Sequence, residues 1–487
     1  MKYLPGAIFL VLGITAGAGH SQGTQNALYS PAEWESITVT RFASQVVPGA
    51  RYTAVATTGG LLLHDRLRRR WLNPLTSADG LPVGAIERIG IGSDGTIIVA
   101  TGSEEVRVDP STGYLRNDNF PEMALQPSPS LPTNLFSDPG YLYLGDGRIS
   151  GPLGVVAPVT DIRAGEGSEV WMTTWGLGIG YADLRTLQLE MKPHGLWSGD
   201  VRALVVTGDR LIAGGSGDSR STGGVTEWRM AADTWKYVLA DETMGLLSDR
   251  VIDLALDGPD VWMAIDTGVA RRQESGRWRT WTERDGLPDY RTTSITVGCG
   301  AVWLGTVRGA VAITGDSLTT VPLPYETVVR DMGAGESAVW FATESGGWGY
   351  RGTWPDGTLF RLRHPDGRLD ATVDVVGTWE DEVWWAGSRG LVAYDSGSGE
   401  WLIMPEVGPL LPGEATSLTL DDENVWLTTI RGVWRLIRDS GQWYHYDESD
   451  GLLDSRVWCS ALTGNIIWFG TRAGITRFDF SLRRKTP

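Results

Sequence analysis

Seven times between Val170 and Phe469 the chain repeats one short pattern: an apolar residue, a tryptophan, two or three small or apolar residues, and a turn that usually ends in glycine. The tryptophans are Trp171, Trp262, Trp303, Trp340, Trp384, Trp426 and Trp468. After one gap of 91 residues, which hides a degenerate copy at 211–215, they are spaced by 41, 37, 44, 42 and 42 residues. A module of that length cannot bury its own apolar face, so neighbouring modules must stack. In a chain with 64 glycines and 23 tryptophans, the module predicted is a four-stranded propeller blade.

Each unit has further parts. About twenty residues before the tryptophan lies a glycine-leucine turn that leads into an alternating strand, as in DGLPDYRTTSITV from Asp285 and DGLLDSRVWCSAL from Asp450. After the tryptophan come a turn, a second apolar run such as GVARRQ or GITRFDF, and often another tryptophan in a polar setting, including Trp71, Trp235, Trp278, Trp401 and Trp443. One blade therefore reads strand a after the GL turn, strand b at the VW pair, strand c after a tight turn, and strand d. The apolar alternation between Gly, Asp and Ser turns is that of half-buried antiparallel strands.

This four-part unit resembles the two-component regulator propeller repeat, whose pattern is a GL turn, a strand, and then W-x-G-T-x-x-G-[LV]. Thr306, Thr429 and Thr471 fall on its threonine, and Gly309, Gly390, Gly432 and Gly474 on its closing glycine. The resemblance covers nearly all of the chain after its first residues. It implies a periplasmic sensor-type propeller, which in that family belongs to hybrid histidine kinases. No kinase, receiver or DNA-binding segment follows the repeats, so the resemblance implies a fold and a compartment rather than a signalling activity.

Composition narrows the function. The formal charge of −17 argues against a nucleic-acid groove, which needs clustered Lys and Arg. Lys2, an apolar run over 4–14 and the small residues Ala16-Gly17-Ala18 have the layout of a secretory signal. Its apolar stretch is short for a membrane span. The expectation is a signal at 1–21, cleaved between Ala18 and Ser21, with the remaining chain exported to the periplasm or beyond the cell and without a membrane span. Cys299 and Cys459 occupy different points of the repeat, nearly four blades apart, and read as buried thiols.

Upstream of Trp171, weaker copies at 52–61, 96–106 and 141–149 bring the total to ten or eleven blades; the last lies only about 29 residues before the next anchor. A single ring of typically four to eight blades cannot hold so many. Two rings in tandem over 28–487, dividing near 225–250, are the first expectation, and one unusually large ring the alternative. The termini suggest how the array closes. The last blade runs out after its third strand, whereas 31–39 (PAEWESITV) reads as a fourth strand without its preceding three. Pairing the two removes an exposed edge.

Catalytic chemistry leaves little trace. The five histidines show no paired metal-ligand spacing, and there is no GxSxG elbow or helix-bound phosphate loop. No cofactor is expected. The strand-b tryptophans read as packing between blades. Function is expected where the repeat is broken, at the enlarged b–c turns 215–224 and 344–357, the second of which carries Trp348, Tyr350 and Trp354. Arg308, Arg389, Arg431 and Arg472 stand four or five residues past their tryptophans in b–c turns and are expected on one rim of the channel. Guanidinium groups beside aromatic faces suit an anionic, sugar-like or peptide ligand; Arg–Asp braces along the rim are the plainer reading of the same arginines. The chain thus reads as a non-catalytic binding propeller, sensor or scaffold, whose partner is a small molecule, a glycan, a protein or a separate membrane sensor kinase. A lyase-type propeller enzyme acting at the channel mouth is the alternative.

Overall fold

The computed structural model describes residues 33–481, apart from 93, 103, 111–113, 117–130, 133–134, 136–139, 152–154, 219–220, 325 and 404–413, together with the backbone of Ala27–Leu28. The secretory signal read at 1–21 lies outside the described residues. The described chain forms ten antiparallel sheets, eight of four strands, one of five and one of six.

Seven of these sheets close into a ring. Their innermost strands are Val201–Thr207, Val251–Asp257, Thr292–Gly298, Val329–Ala334, Val373–Trp379, Ala415–Leu420 and Val457–Thr463, and we number blades 1 to 7 in that order. Each packs against the next, and the seventh packs back against the first. Blade 7 takes its outermost strand from the other end of the chain: Trp34–Ile37 pairs with the strand Ile475–Asp479, Trp34 opposite Phe478 and Ile37 opposite Ile475. The expected closure by the N-terminal strand is thereby observed, and the edge that blade 7 would present is covered.

The other three sheets stack beside the ring. The sheet that begins with Ala43–Pro48 is the middle one, flanked on one side by the sheet of Ile86–Ile91 and on the other by that of Val156–Ala164. Leu142–Tyr143 and Arg148–Ser150 are extra strands on the sheet of Trp171, so the copy at 141–149 builds no blade of its own. Of the ten or eleven blades expected, ten sheets are present among the described residues, arranged as one closed seven-blade ring and a three-sheet stack. The residues around 225–250 hold the outer two strands of blade 1 and the connection to blade 2.

Local chemistry explains why the repeat folds this way. In the DGL turns, Asp285 and Asp450 end a single 3-10 turn whose capping carboxylate accepts from the backbone N–H of Thr282 (2.9 Å) or Asp447 (3.1 Å). The following Gly286 and Gly451 adopt φ of 107° and 115°, a region costly for residues with a Cβ, and Leu287 and Leu452 then enter the core. The repeat threonine closes the b–c turn: the Thr306, Thr429 and Thr471 hydroxyls donate to the carbonyls of Gly309, Gly432 and Gly474 at 2.8–2.9 Å. All seven anchor tryptophans are buried between blades.

Candidate functional site

Strand a is irregular at the same place in every blade of the ring. Its register against strand b slips by one residue between Val201 and Ala203, Val251 and Asp253, Thr292 and Ser294, Val329 and Asp331, Val373 and Val375, Ala415 and Ser417, and Val457 and Cys459. A bulge leaves one residue unpaired and re-aims its side chain. The seven bulged residues are Arg202, Ile252, Thr293, Arg330, Asp374, Thr416 and Trp458, and all seven line one central cavity of about 650 Å³. This cavity is the mouth of the ring's channel, on the face where the a strands begin and the b–c turns lie.

Its charges are arranged in pairs. The Arg202 guanidinium lies 3.7 Å from the centroid of the Trp458 ring and 3.0 Å from Asp200, whose other oxygen accepts the Trp458 indole N–H at 2.7 Å. Across the mouth, Arg330 of blade 4 stands 3.3 Å from Asp374 of blade 5. Just below, Asp253 and Asp331 brace neighbouring blades: each accepts a backbone N–H from the next a strand, Ile295 at 2.8 Å and Val376 at 2.9 Å. Burial pushes these carboxyls up, Asp253 to about 6 and Asp331 to about 7, although backbone donors pull the other way. The same bracket recurs in the stack, where Asp161 accepts from Val46 and Gln45 from Ile89.

The residues singled out in the sequence are only partly brought together. Arg308, Arg389, Arg431 and Arg472 do share the b–c face, and Val307 beside Arg308 lines the mouth. Arg308 sits 3.6 Å from Asp289 and Arg431 3.3 Å from Glu414, acids just before strand a of their own blades, while Arg389 donates to the Gly367 carbonyl at 2.8 Å. The braces are thus within blades rather than between them. The segment 344–357 is not an enlarged b–c turn. Its turn closes at Thr343 and Gly346, and Gly346–Arg351 is an ordinary strand c. Tyr350 is 2% exposed and Trp348 and Trp354 pack against the same core, so these aromatics belong to blade packing rather than to a turn outside the repeat. Trp354 lies in the c–d turn and its backbone N–H donates to Cys299 in an a–b turn, which puts it on the face opposite the arginines. Likewise 215–224 prolongs strands Arg210–Asp218 and Ser221–Arg229 as a ribbon. Cys299 and Cys459 are both free thiols.

A second cavity escaped the sequence reading because its walls come from both the stack and the ring. It measures about 950 Å³ and is lined by His64 and Trp71 from the stack, by His194 from the connection, and by Trp228 and Trp235 from blade 1. The rings follow one another: His64 to Trp71 at 4.8 Å, Trp71 to His194 at 5.6 Å, His194 to Trp235 at 5.1 Å, and Trp235 stacked on Trp228 at 4.7 Å. Burial holds both imidazoles down to about 4, so they are neutral near pH 7.

No family model matches the chain, and no curated protein matches it. Among solved structures, it is similar to the extracellular domain of a B. thetaiotaomicron protein described as a hybrid two-component system, at 17% identity and a TM-score of 0.49, covering 91% of this chain and 62% of that one. This chain therefore spans less than two thirds of that structure's length. It is similar at 14% identity and a TM-score of 0.49 to PorZ, a surface component of the type-IX secretion system of Porphyromonas gingivalis, over 90% of this chain and 74% of that one. A virginiamycin B lyase from Staphylococcus aureus matches at 15% identity and a TM-score of 0.46, over 58% of this chain and 95% of that one. Among the described residues no helix is long and apolar enough to cross a membrane. The chain is a β-propeller protein whose described residues form ten sheets, seven of them closed into one ring around a channel whose mouth is lined by one bulged residue from each blade.

Proposed function

We propose that this protein is a non-catalytic binding propeller that acts outside the cytoplasm, as a ligand sensor or as a scaffold in an envelope assembly, and that it takes its ligand at the mouth of the seven-blade channel. One observation carries the reading. The residues on either side of each bulge serve packing and stay small, apolar or bracing, whereas the bulged residue between them is Arg, Ile, Thr, Arg, Asp, Thr and Trp in successive blades. A position that is structurally equivalent in seven copies and chemically different in most of them is free of the repeat's packing demands. Arginines held beside carboxylates and next to an indole face suit a polar ligand that brings both an acidic group and an apolar surface, such as a small molecule, a glycan or a protein loop. Arg308, Arg389, Arg431 and Arg472 surround this mouth and form the outer contact for a larger partner, a separate membrane sensor kinase among them. We place the division between stack and ring at the connection 193–200. A lyase would need a histidine and an acid converging at the mouth, and among the described residues lining it there is no histidine.

Thr293→Trp tests the reading, because the Thr293 hydroxyl has no hydrogen-bond partner among the described residues and its replacement fills the mouth without breaking a bond seen there. Ligands found by melting-temperature screening of envelope glycans and peptides should bind this variant roughly tenfold or more weakly, with its fold retained. Undiminished binding to a plugged mouth would refute the assignment.

A further inference from the structure

Two of the chain's crossings between stack and ring lie side by side. The segment after strand Trp34–Ile37 leaves blade 7 for the stack, and 193–200 returns from the stack to blade 1. Leu196 N–H donates to the Thr38 carbonyl at 2.9 Å and the Thr40 hydroxyl to the His194 carbonyl at 2.5 Å. Gly176 and Gly178 both donate to the Arg41 carbonyl at 3.0 Å, which fixes Arg41 at the centre of this joint.

Arg41 is a cation in an unusual position. Its guanidinium lies 3.9 Å from the Trp197 ring centroid and 4.4 Å from that of Phe42, and among the described residues only its Nε has an acceptor, the Trp197 carbonyl at 3.3 Å. No carboxylate pairs with it among the described residues. Burial lowers its pKa to about 10, and the Tyr237 phenol offsets that only in part. An arginine so placed leaves both terminal NH2 groups of its fork, four N–H donors, without a partner among the described residues, and a partly desolvated charge demands one. The space beside it is a cavity of about 50 Å³, lined among others by Arg41, Lys192, Tyr141 and Tyr237, and among the described residues no aspartate or glutamate lines it. Lys192 does contact Glu190 at 2.9 Å, but that carboxylate is exposed and stands outside the cavity lining. A water takes up about 30 Å³ of liquid, so the space admits one small headgroup rather than a whole ligand.

We propose that this joint is a carboxylate-binding site, in which the two planar oxygens of a carboxylate accept from the Arg41 fork, with the Tyr141 hydroxyl and the Lys192 ammonium beside them. The carboxylate comes either from a free small acid or from the end of a larger ligand, and its occupancy ties the stack to the ring. The site is independent of the channel mouth.

The probe is ¹³C-acetate, followed by NMR line broadening at constant ionic strength made up with chloride, on the whole protein. Wild type should show saturable broadening that formate competes away. Arg41→Lys keeps the charge but loses the fork, and Tyr141→Phe loses one donor; each should weaken acetate several-fold, and Arg41→Gln roughly tenfold or more. Melting curves show which variants are folded, and Tyr141→Phe and Arg41→Lys keep the test open if Arg41→Gln does not fold. Three results would overturn the proposal: no saturable acetate binding, equal affinity in Arg41→Lys and wild type, or inorganic phosphate binding as tightly as acetate. If acetate binds and a short peptide with a free C-terminal carboxylate competes better than its amide, the site serves a larger ligand. If acetate binds and the peptide does not compete, it serves a free acid.

Discussion

The strand that closes blade 7 supplies the sharpest test of how the ring is held. Trp34 and Ile37 lie three residues apart on one strand, so their side chains point to opposite faces of the sheet. Trp34 stacks on Phe478 with centroids 4.0 Å apart and joins the cluster of Trp426 and Tyr446 towards blade 6. Ile37 is 2% exposed and belongs to the cluster of Val201, Leu211 and Trp468 towards blade 1. Emptying a fully buried isoleucine site costs about 2–4 kcal/mol, and truncating the half-buried Trp34 about 2 kcal/mol, below the ~3–5 kcal/mol of a fully buried ring. Because the two residues touch different clusters, the losses should add to about 4–6 kcal/mol. In hydrogen-exchange mass spectrometry, Trp34→Ala/Ile37→Ala should speed exchange roughly a thousand- to ten-thousandfold in the blade 7 strands Val457–Thr463 and Ile466–Thr471. Those strands are more than 400 residues from the substitutions. Native protection of blade 7, with new exchange confined to the adjoining sheet of Ala43–Pro48, would refute the closure.

Further outcomes follow from the same packing. Trp303→Ala and Trp426→Ala should each cost about 3–5 kcal/mol in denaturant melts, since both rings are fully buried. Trp354→Ala should cost an intermediate ~1–2 kcal/mol, because Trp354 sits edge-on to Trp303 at 5.1 Å while remaining part-exposed; a loss below about 0.5 kcal/mol would return it to the surface class. Arg431→Ala should change stability by under about 1 kcal/mol, because its pair with Glu414 is largely solvated on the arginine side. The raised carboxyls give a pH dependence of definite sign. Folded Asp331 keeps its proton up to about pH 7, whereas the unfolded chain releases it near pH ~4, so between those values the folded state binds more protons and stability falls as pH rises. Asp331→Asn should flatten that slope in melts between pH 4.5 and 7.5, and an unchanged slope would assign it to other groups.

The repeat made most of the blade legible. The tryptophan period marked strand b, the DGL turn marked the entry to strand a, and the threonine-glycine pair marked the b–c hairpin, because each of these is a contact within some forty residues of chain. The completion of blade 7 was also legible, since a lone strand d at one end and a blade short of one at the other define a unique pairing. Over 344–357 the glycines and tryptophans looked like a loop, but Tyr350 and Trp354 pack on Trp303 of the preceding blade, a contact no local pattern encodes. The channel positions were hidden for a related reason. Reading strand a as a plain alternation assigns each residue one of two faces, and a single bulge moves Arg202 or Trp458 off both.

The sequence by itself determined that the chain is built of tryptophan-anchored blades, where the strands of most blades lie, and that the N-terminal strand latches the last blade. Those properties depend on turn chemistry and on apolar period, which act over short stretches. The tertiary structure alone decided that seven sheets close into one ring while three stack beside it, that one bulged residue per blade faces the channel, and that Arg41 is set where the two crossings meet. These depend on the angle at which each sheet packs on the next, summed around the ring, and on contacts between segments some 150 residues apart, such as Thr40 and His194, and no residue carries such information by its type or its neighbours in sequence.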